Sequence, residues 1–362
     1  MKYLPWLTAM FVACQPLIAC SSDSNDTESS AGAPSAGRAG GTAGSPSAGA
    51  PSGGKGGALG AAGAAAGEGG SGGAGVEAGA GGSAGASQAK DIVETAIAAG
   101  SFTKLAAALT TAGLVETLQG PGPFTVFAPD DAAFAAFETA NPGVLAGLSK
   151  ADLTTILTYH VVAGSAASKD LKNNQVFTTV SGSPVLIDKT AGVKLTDGAK
   201  VDDATVTTAD IVASNGIIHV INFIITPPAK DIVETAVAAG TFTKLAGALT
   251  SASLVDTLKG KGPFTVFAPT DAAFAGVTPP TGTALANLLK YHVVGAAAGS
   301  GDLSDKQALT TLDTATTSKL TVDLTAGVKI IDSTATPATV APANILAKNG
   351  VIHVIDKVLI PQ

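Results

Sequence analysis

The chain has 362 residues and a formal net charge of −7. That is length for two or three domains, without the positive footprint that a nucleic-acid partner requires. Hydrophobic residues reach 46%, much of it alanine, whereas aromatics are 4% and the single Trp is Trp6, so Trp platforms for stacking sugars or bases are excluded beyond the amino terminus.

Residues 1–19 read as an export signal. Lys2 supplies the positive start, and Trp6 to Ile18 is a mainly apolar run, interrupted by Gln15 and Pro16, too short to cross a bilayer as a helix. It ends in Leu17-Ile18-Ala19-Cys20, which resembles the lipobox of bacterial lipoproteins. The resemblance implies that Cys20 becomes the lipidated amino terminus and holds the chain to a membrane. With Ser21 and not Asp next, it implies sorting to the outer membrane, a secreted protein being the alternative. Cys14 would leave with the signal, so no disulfide is expected. Residues 20–88 are Gly, Ala, Ser and Pro with only isolated large apolar residues such as Leu59 and Val76. No core can offset the ordering entropy there, and a disordered tether is expected. Its typical reach is roughly 45 Å as a Gly-rich coil.

The rest of the chain is written twice. Lys90-Asp91-Ile92-Val93-Glu94-Thr95-Ala96 returns at Lys230 to Ala236, and Phe124-Thr125-Val126-Phe127-Ala128-Pro129 returns at Phe264 to Pro269, each offset by 140 (230 − 90; 264 − 124). Tyr159-His160 returns as Tyr291-His292, and Asn215 to Ile221 as Asn349 to Ile355. A period this long exceeds any solenoid unit, so each copy is a whole domain, 89–227 and 229–362. Every His falls inside the copies.

In each copy helices come first. Ile92, Val93, Ala96 and Ile97 share one helical face, with Gly100 as the stop. Ser101 reads as the N-cap of a second helix carrying Phe102, Leu105 and Leu109 and closed by Gly113. A Gly-Pro turn leads to the strand Phe124–Phe127, or Phe264–Phe267, ended by Pro129 or Pro269. A short helix is expected over Asp131 to Phe137 and Asp271 to Phe274. Between there and Tyr291 the second copy has lost eight residues, which the sequence assigns to a surface loop at Asn141-Pro142-Gly143. Ser149-Lys150-Ala151-Asp152 resembles a capping box before Leu153, Ile156 and Leu157. Strands follow at Val185–Asp188, Val193–Leu195 and Ile211–Ala213. Asn215-Gly216 and Asn349-Gly350 signal two-residue hairpins, and 217–221, apolar on both faces, should be a central strand. Helices then strands in about 140 residues is an α+β pattern. The short Pro227-Pro228 connection should hold the domains close together.

Phe124 to Phe134 resembles the first signature of fasciclin domains, as does Phe264 to Phe274. Asn215 to Ile221 and Asn349 to Asp356 resemble the second, with Tyr159-His160 and Tyr291-His292 as the Tyr-His motif between them. The resemblance implies two tandem domains, each a wedge-shaped β-sandwich with a helical side. It further implies a role in adhesion or surface interaction, with a surface protein or polysaccharide as partner. Integrin-recognition segments of animal members match only in fragments, at Leu153–Leu157 and Ala209–Val212.

The chemical candidates favour architecture. Asp130, Asp131 and Asp271 read as helix caps, Thr270 replacing Asp130 being a cap-preserving change and a poor ligand swap. His160, His219, His292 and His353 lack the partners and spacing of a zinc site, and no Gly-x-Ser-x-Gly elbow marks a hydrolase. No catalytic residue, metal or cofactor is therefore expected. Tyr159, His160, Tyr291 and His292 remain candidate partner contacts, although a buried Tyr with its hydroxyl paired is the simpler reading. Carriage of an apolar small molecule, carotenoid-like by resemblance to some members, and hydrolysis are the rival functions.

Overall fold

The computed structural model describes residues 89–198, 203–315 and 319–361. The signal 1–19, Cys20 and the tether to residue 88 lie outside the described residues. In the first repeat, α1 (Ile92–Ala99), α2 (Thr103–Ala112) and α3 (Val115–Gln119) precede β1 (Phe124–Pro129). Helices α4 (Asp131–Ala140), α5 (Val144–Gly147) and α6 (Lys150–Tyr159) follow. The strands β2 (Val161–Ala163), β3 (Gln175–Thr178), β4 (Pro184–Asp188), β5 (Lys194–Thr196), β6 (Ala204–Ala213) and β7 (Gly216–Ile221) complete it.

The second repeat carries α7 (Ile232–Ala239), α8 (Thr243–Ser251), α9 (Val255–Lys259), β8 (Phe264–Pro269) and α10 (Gly282–Tyr291). Its remaining strands are β9 (Val293–Val294), β10 (Ala308–Leu309), β11 (Leu320–Asp323), β12 (Lys329–Ile331), β13 (Ala338–Thr339), β14 (Ile345–Ala347) and β15 (Gly350–Ile355).

The first repeat's sheet runs β2-β1-β7-β6-β5-β4-β3, with β1 and β7 parallel, Phe124 opposite Gly216. In the second repeat the corresponding strands form two sheets, β14-β15-β8-β9 and β10-β11-β12-β13. Side chains on β1 alternate between two cores, as the strand period demands. Val126 and Ala128 join Ile218 and Val220 of β7 against Leu105, Leu109 and Leu157 of the helices. Phe127 and Ile221 face the opposite way, onto Val185, Ile187 and Leu195. The central pair of strands is thus shared between a helix-on-sheet layer and a sheet-on-sheet layer, giving a β-sandwich with a helical side. Val266, Ala268 and Ile352 on one face and Phe267 and Ile355 on the other repeat the arrangement.

Several local expectations shift. Ile97 is 61% exposed and its counterpart Val237 59%. At about 100° per residue, Ile92, Val93 and Ala96 already fill the inward stripe, and Ile97 sits about 90° from its middle. Helix α2 starts at Thr103 with Phe102 at the cap position and no side-chain cap of its own, so Ser101 is not the cap. At Ser149 the hydroxyl donates to the Asp152 carboxylate, 2.6 Å, and accepts from the Asp152 amide; the aspartate is thereby bonded to the cap side chain.

The expected helix at Asp271 to Phe274 is instead a pair of tight turns, Ala275 N to Ala272 O and Val277 N to Phe274 O. Pro279 and Pro280 follow at once and supply no amide for a longer helix. The eight-residue loss therefore removes the end of α4 and all of α5, not a loop alone; α5 buries no residue, which makes its removal tolerable. Finally, the hairpin loops are Ser214-Asn215 and Lys348-Asn349, because Gly216 and Gly350 are already paired strand residues. A Cβ on Gly216 would stand 2.1 Å from the Phe124 carbonyl oxygen. Close backbone approach, not turn geometry, selects glycine there.

Candidate functional site

The motif residues converge on the seams where helices, central strands and the last segment of each repeat meet. Asn215, at the β6–β7 turn, accepts from the Ile92 amide through Oδ1 at 3.0 Å. Its Nδ2 donates to Leu118 O at 2.7 Å and Gly120 O at 3.0 Å. One side chain therefore ties the start of α1 and the end of α3 to the sheet. Asn349 does the same with Ile232, Leu258 and Gly260. The sequence signals these asparagines only as turn formers; an amide matched to one free helix donor and two free helix acceptors is what the turn reading misses.

Tyr159 is fully buried and its hydroxyl donates to Pro184 O at 2.8 Å. Tyr291, also fully buried, reaches Lys319 O at 3.3 Å. Burial raises both phenols, Tyr159 well above its usual value and Tyr291 to about 12. His160 ends α6: Nδ1 lies 2.8 Å from Ile156 O, and Nε2 accepts from the Ile225 amide at 3.2 Å. His292 repeats this with Leu288 O and the Leu359 amide. An acceptor on one nitrogen and a donor on the other fit only the neutral ring with its proton on Nδ1. Burial accordingly lowers His160 and His292 to about 4.

His219 and His353 pair with Ala166 O and Ala298 O through Nε2, both at 2.9 Å, and stack on Phe127 and Phe267. Burial lowers His353 to about 4 as well. The contact role expected for Tyr159, His160, Tyr291 and His292 finds no surface in the folded repeat, since all four are at most 2% exposed.

The acidic candidates cap, in a more elaborate way than the sequence implies. Asp130 accepts from the Ala133 amide at 2.7 Å, and Thr270 takes that place with Ala273. Asp131 reaches a different helix: it accepts from Thr103 Oγ1 at 2.6 Å and the Lys104 amide at 2.8 Å, supplying the cap that α2 lacks. Burial pulls the Asp131 carboxyl up, but these hydrogen bonds prevail and hold it below its usual value. Asp271 caps α8 through Thr243 and Lys244 in the same way. Among the described residues no group of three or more His, Cys, Asp or Glu could hold a metal.

Thr125, buried in the middle of the first motif, donates to Gly164 O and accepts from the Ala166 amide; Thr265 does likewise with Ala296 and Ala298. Each conspicuous polar residue thus bonds to its own repeat's backbone. The model for the fasciclin domain matches residues 100–227 and again 240–361. The chain belongs to the fasciclin family.

Its fasciclin domains have relatives in several kingdoms. An uncharacterized protein of Synechocystis sp. is 47% identical over 137 residues, 37% of this chain and 96% of that protein. Transforming growth factor-beta-induced protein ig-h3 of Sus scrofa is 28% identical over 280 residues, 75% of this chain but only 40% of its own length. A solved fasciclin domain pair from the insect cell adhesion molecule Fasciclin I aligns over 73% of this chain and 98% of that one, at 18% identity and a TM-score of 0.33. No helix among the described residues is long and apolar enough to cross a membrane.

Proposed function

We propose that this chain is a lipid-anchored envelope protein for adhesion or interaction. In this reading it is held by lipidated Cys20 in the outer membrane, and its two fasciclin domains engage a surface protein or polysaccharide without catalysis. The observation that carries the reading is the complete internal use of the histidine, tyrosine and asparagine motif residues in both repeats. A general base must reach a substrate proton, and these imidazoles are enclosed with both nitrogens bonded. Recognition then falls to the exterior, where Ile97 and Val237 stand exposed at equivalent places. Two linked modules can replace high single-site affinity with effective concentration.

Carriage of an apolar molecule is less well supported. The apolar cavity between helices and sheet is about 20 Å³ in each repeat, room for about one water. A test compares cells carrying the full chain with Cys20→Ser and with Ile97→Asp/Val237→Asp, scoring fatty-acid labelling and attachment to neighbouring cells and to envelope polysaccharide. Loss of label in the first and of attachment in both is expected. Unchanged label overturns the anchor, and unchanged attachment overturns the adhesive reading.

A further inference from the structure

The two repeats meet through a segment and a sheet edge. Strand β3 is the outer strand of the first repeat's sheet, and its open side is covered by Gly299-Ser300-Gly301-Asp302 of the second repeat. The Gly301 amide donates to Asn174 O at 2.9 Å, and the Val176 amide donates to Asp302 Oδ2 at 2.8 Å. Beneath these bonds Val176 and Leu186 pack on Leu346, Val351 and Ala297. The approach depends on glycine: a Cβ on Gly299 would fall 2.3 Å from Asn174 O, and one on Gly301 2.0 Å from Asn173 O. Burial raises Asp302, against the two amide bonds it accepts.

Because the domains are copies, each has a counterpart of both surfaces. The counterpart of Gly299–Asp302 is Ala167-Ser168-Lys169-Asp170, offset by 132 (299 − 167). The two segments share a conformation: the Ser168 amide donates to Asp210 and the Ser300 amide to Asn344, at 2.8 and 2.7 Å. Ala167 and Lys169 therefore place side chains where the joint demands none. Val212, the counterpart of Leu346, is left 75% exposed beside them. At the other end, the counterpart of the β3 edge is β10. There Lys306 adopts φ 60 as Asn174 does, while Ala308 and Thr321 stand in place of Val176 and Leu186.

We propose that the glycines at 299 and 301 make the inter-repeat joint directional, and that Ala167 and Lys169 at one free end and Ala308 and Thr321 at the other stop it from propagating. The two repeats then form a closed pair. A sheet edge docking on the copy of its own partner surface would otherwise build an open, head-to-tail array. Side chains that obstruct a free edge, and polar terminal repeats, are the general devices against such growth. The partner excluded is a second copy of this chain.

The test uses the full chain in a Cys20→Ser background, which keeps acyl chains out of the association. Writing the first repeat's residues into the joint, Gly299→Ala with Gly301→Lys, should free the Val176 amide and raise its hydrogen exchange by about tenfold or more. Exchange at Val126, inside the first repeat, should stay as it was. The converse variant, Ala167→Gly/Lys169→Gly/Ala308→Val/Thr321→Leu, should sediment as concentration-dependent dimers and longer chains where the parent remains single. A parent that associates end to end overturns the proposal. So does a folded fourfold variant that sediments as the parent does, or a Val176 amide that stays protected in the double variant. Should the fourfold variant fail to fold, the double variant and the parent's sedimentation decide.

Discussion

Set side by side, the two repeats differ most where the chain meets solvent and least where helix ends meet strands. Asn215 and Asn349 make the same three hydrogen bonds, with donor–acceptor distances equal to within 0.1 Å. Yet around them α5 has vanished, α4 has become turns, and a buried contact has been rebuilt. In the first repeat Phe137 packs on Phe223 with ring centroids 5.7 Å apart. In the second, Val277 stands 140 residues on from Phe137 (277 − 137) and packs partly buried on the core, while Lys357 replaces Phe223 and turns to Asp332 with Nζ 2.9 Å from Oδ1. An aromatic pair has given way to a smaller apolar side chain and an ion pair without disturbing the seam beside it. Backbone groups that must be satisfied constrain sequence more tightly than space that must be filled.

Acid should break this likeness first and most strongly. His160, His292 and His353 sit at about 4 when folded, against 6.5 unperturbed. A lowered folded value means the neutral ring is favoured by folding. Its contribution is complete above pH 6.5 and lost as pH falls from there through 4, on the order of 3 kcal/mol for each ring. Melting temperature followed from pH 7 to 4 should fall steeply, and His292→Gln should flatten the slope. A flat profile in the parent chain would contradict the enclosed neutral rings.

Removing a staple comes next. Asn349→Ala strands one amide and two carbonyls in a buried site, at a cost of about 3 kcal/mol. Asn215→Ala should cost less because its site is only half-buried, so water can replace part of what is lost. Urea midpoints check the order, and equal losses would mean that solvent access does not separate the repeats. The smallest effect belongs to the caps. Asp130→Thr copies the second repeat into the first and should cost about 0.5 kcal/mol, whereas Thr270→Asp, with turns and not a helix to cap, should change the midpoint hardly at all.

Much of this was legible in the sequence because repetition marks what folding needs. The central strand 217–221, the helix stops at Gly100 and Gly113 and the capping role of Asp130 follow from local pattern. Long-range partnerships do not. Nothing near Thr103 announces that its cap is Asp131, 28 residues on. Nothing near Asn215 announces Leu118, and the glycines at 299 and 301 look like loop residues until a carbonyl stands 2.0 Å from the missing Cβ of Gly301. The exposure of Ile97 was hidden for a different reason: on a two-turn helix a stripe of four apolar residues is wider than the surface it can cover.

The parallel pairing of β1 with β7 fixes the order in which each repeat can mature. Phe124 must wait for Gly216, 92 residues later (216 − 124), and Phe264 for Gly350, 86 later (350 − 264). A nascent chain emerging from the ribosome holds its helices and outer strands before it owns the middle of its own sheet. Contacts this distant in sequence are slow to close, so each domain should stay open until its final strand has been synthesised, and a chain cut short before residue 216 should have no folded repeat at all.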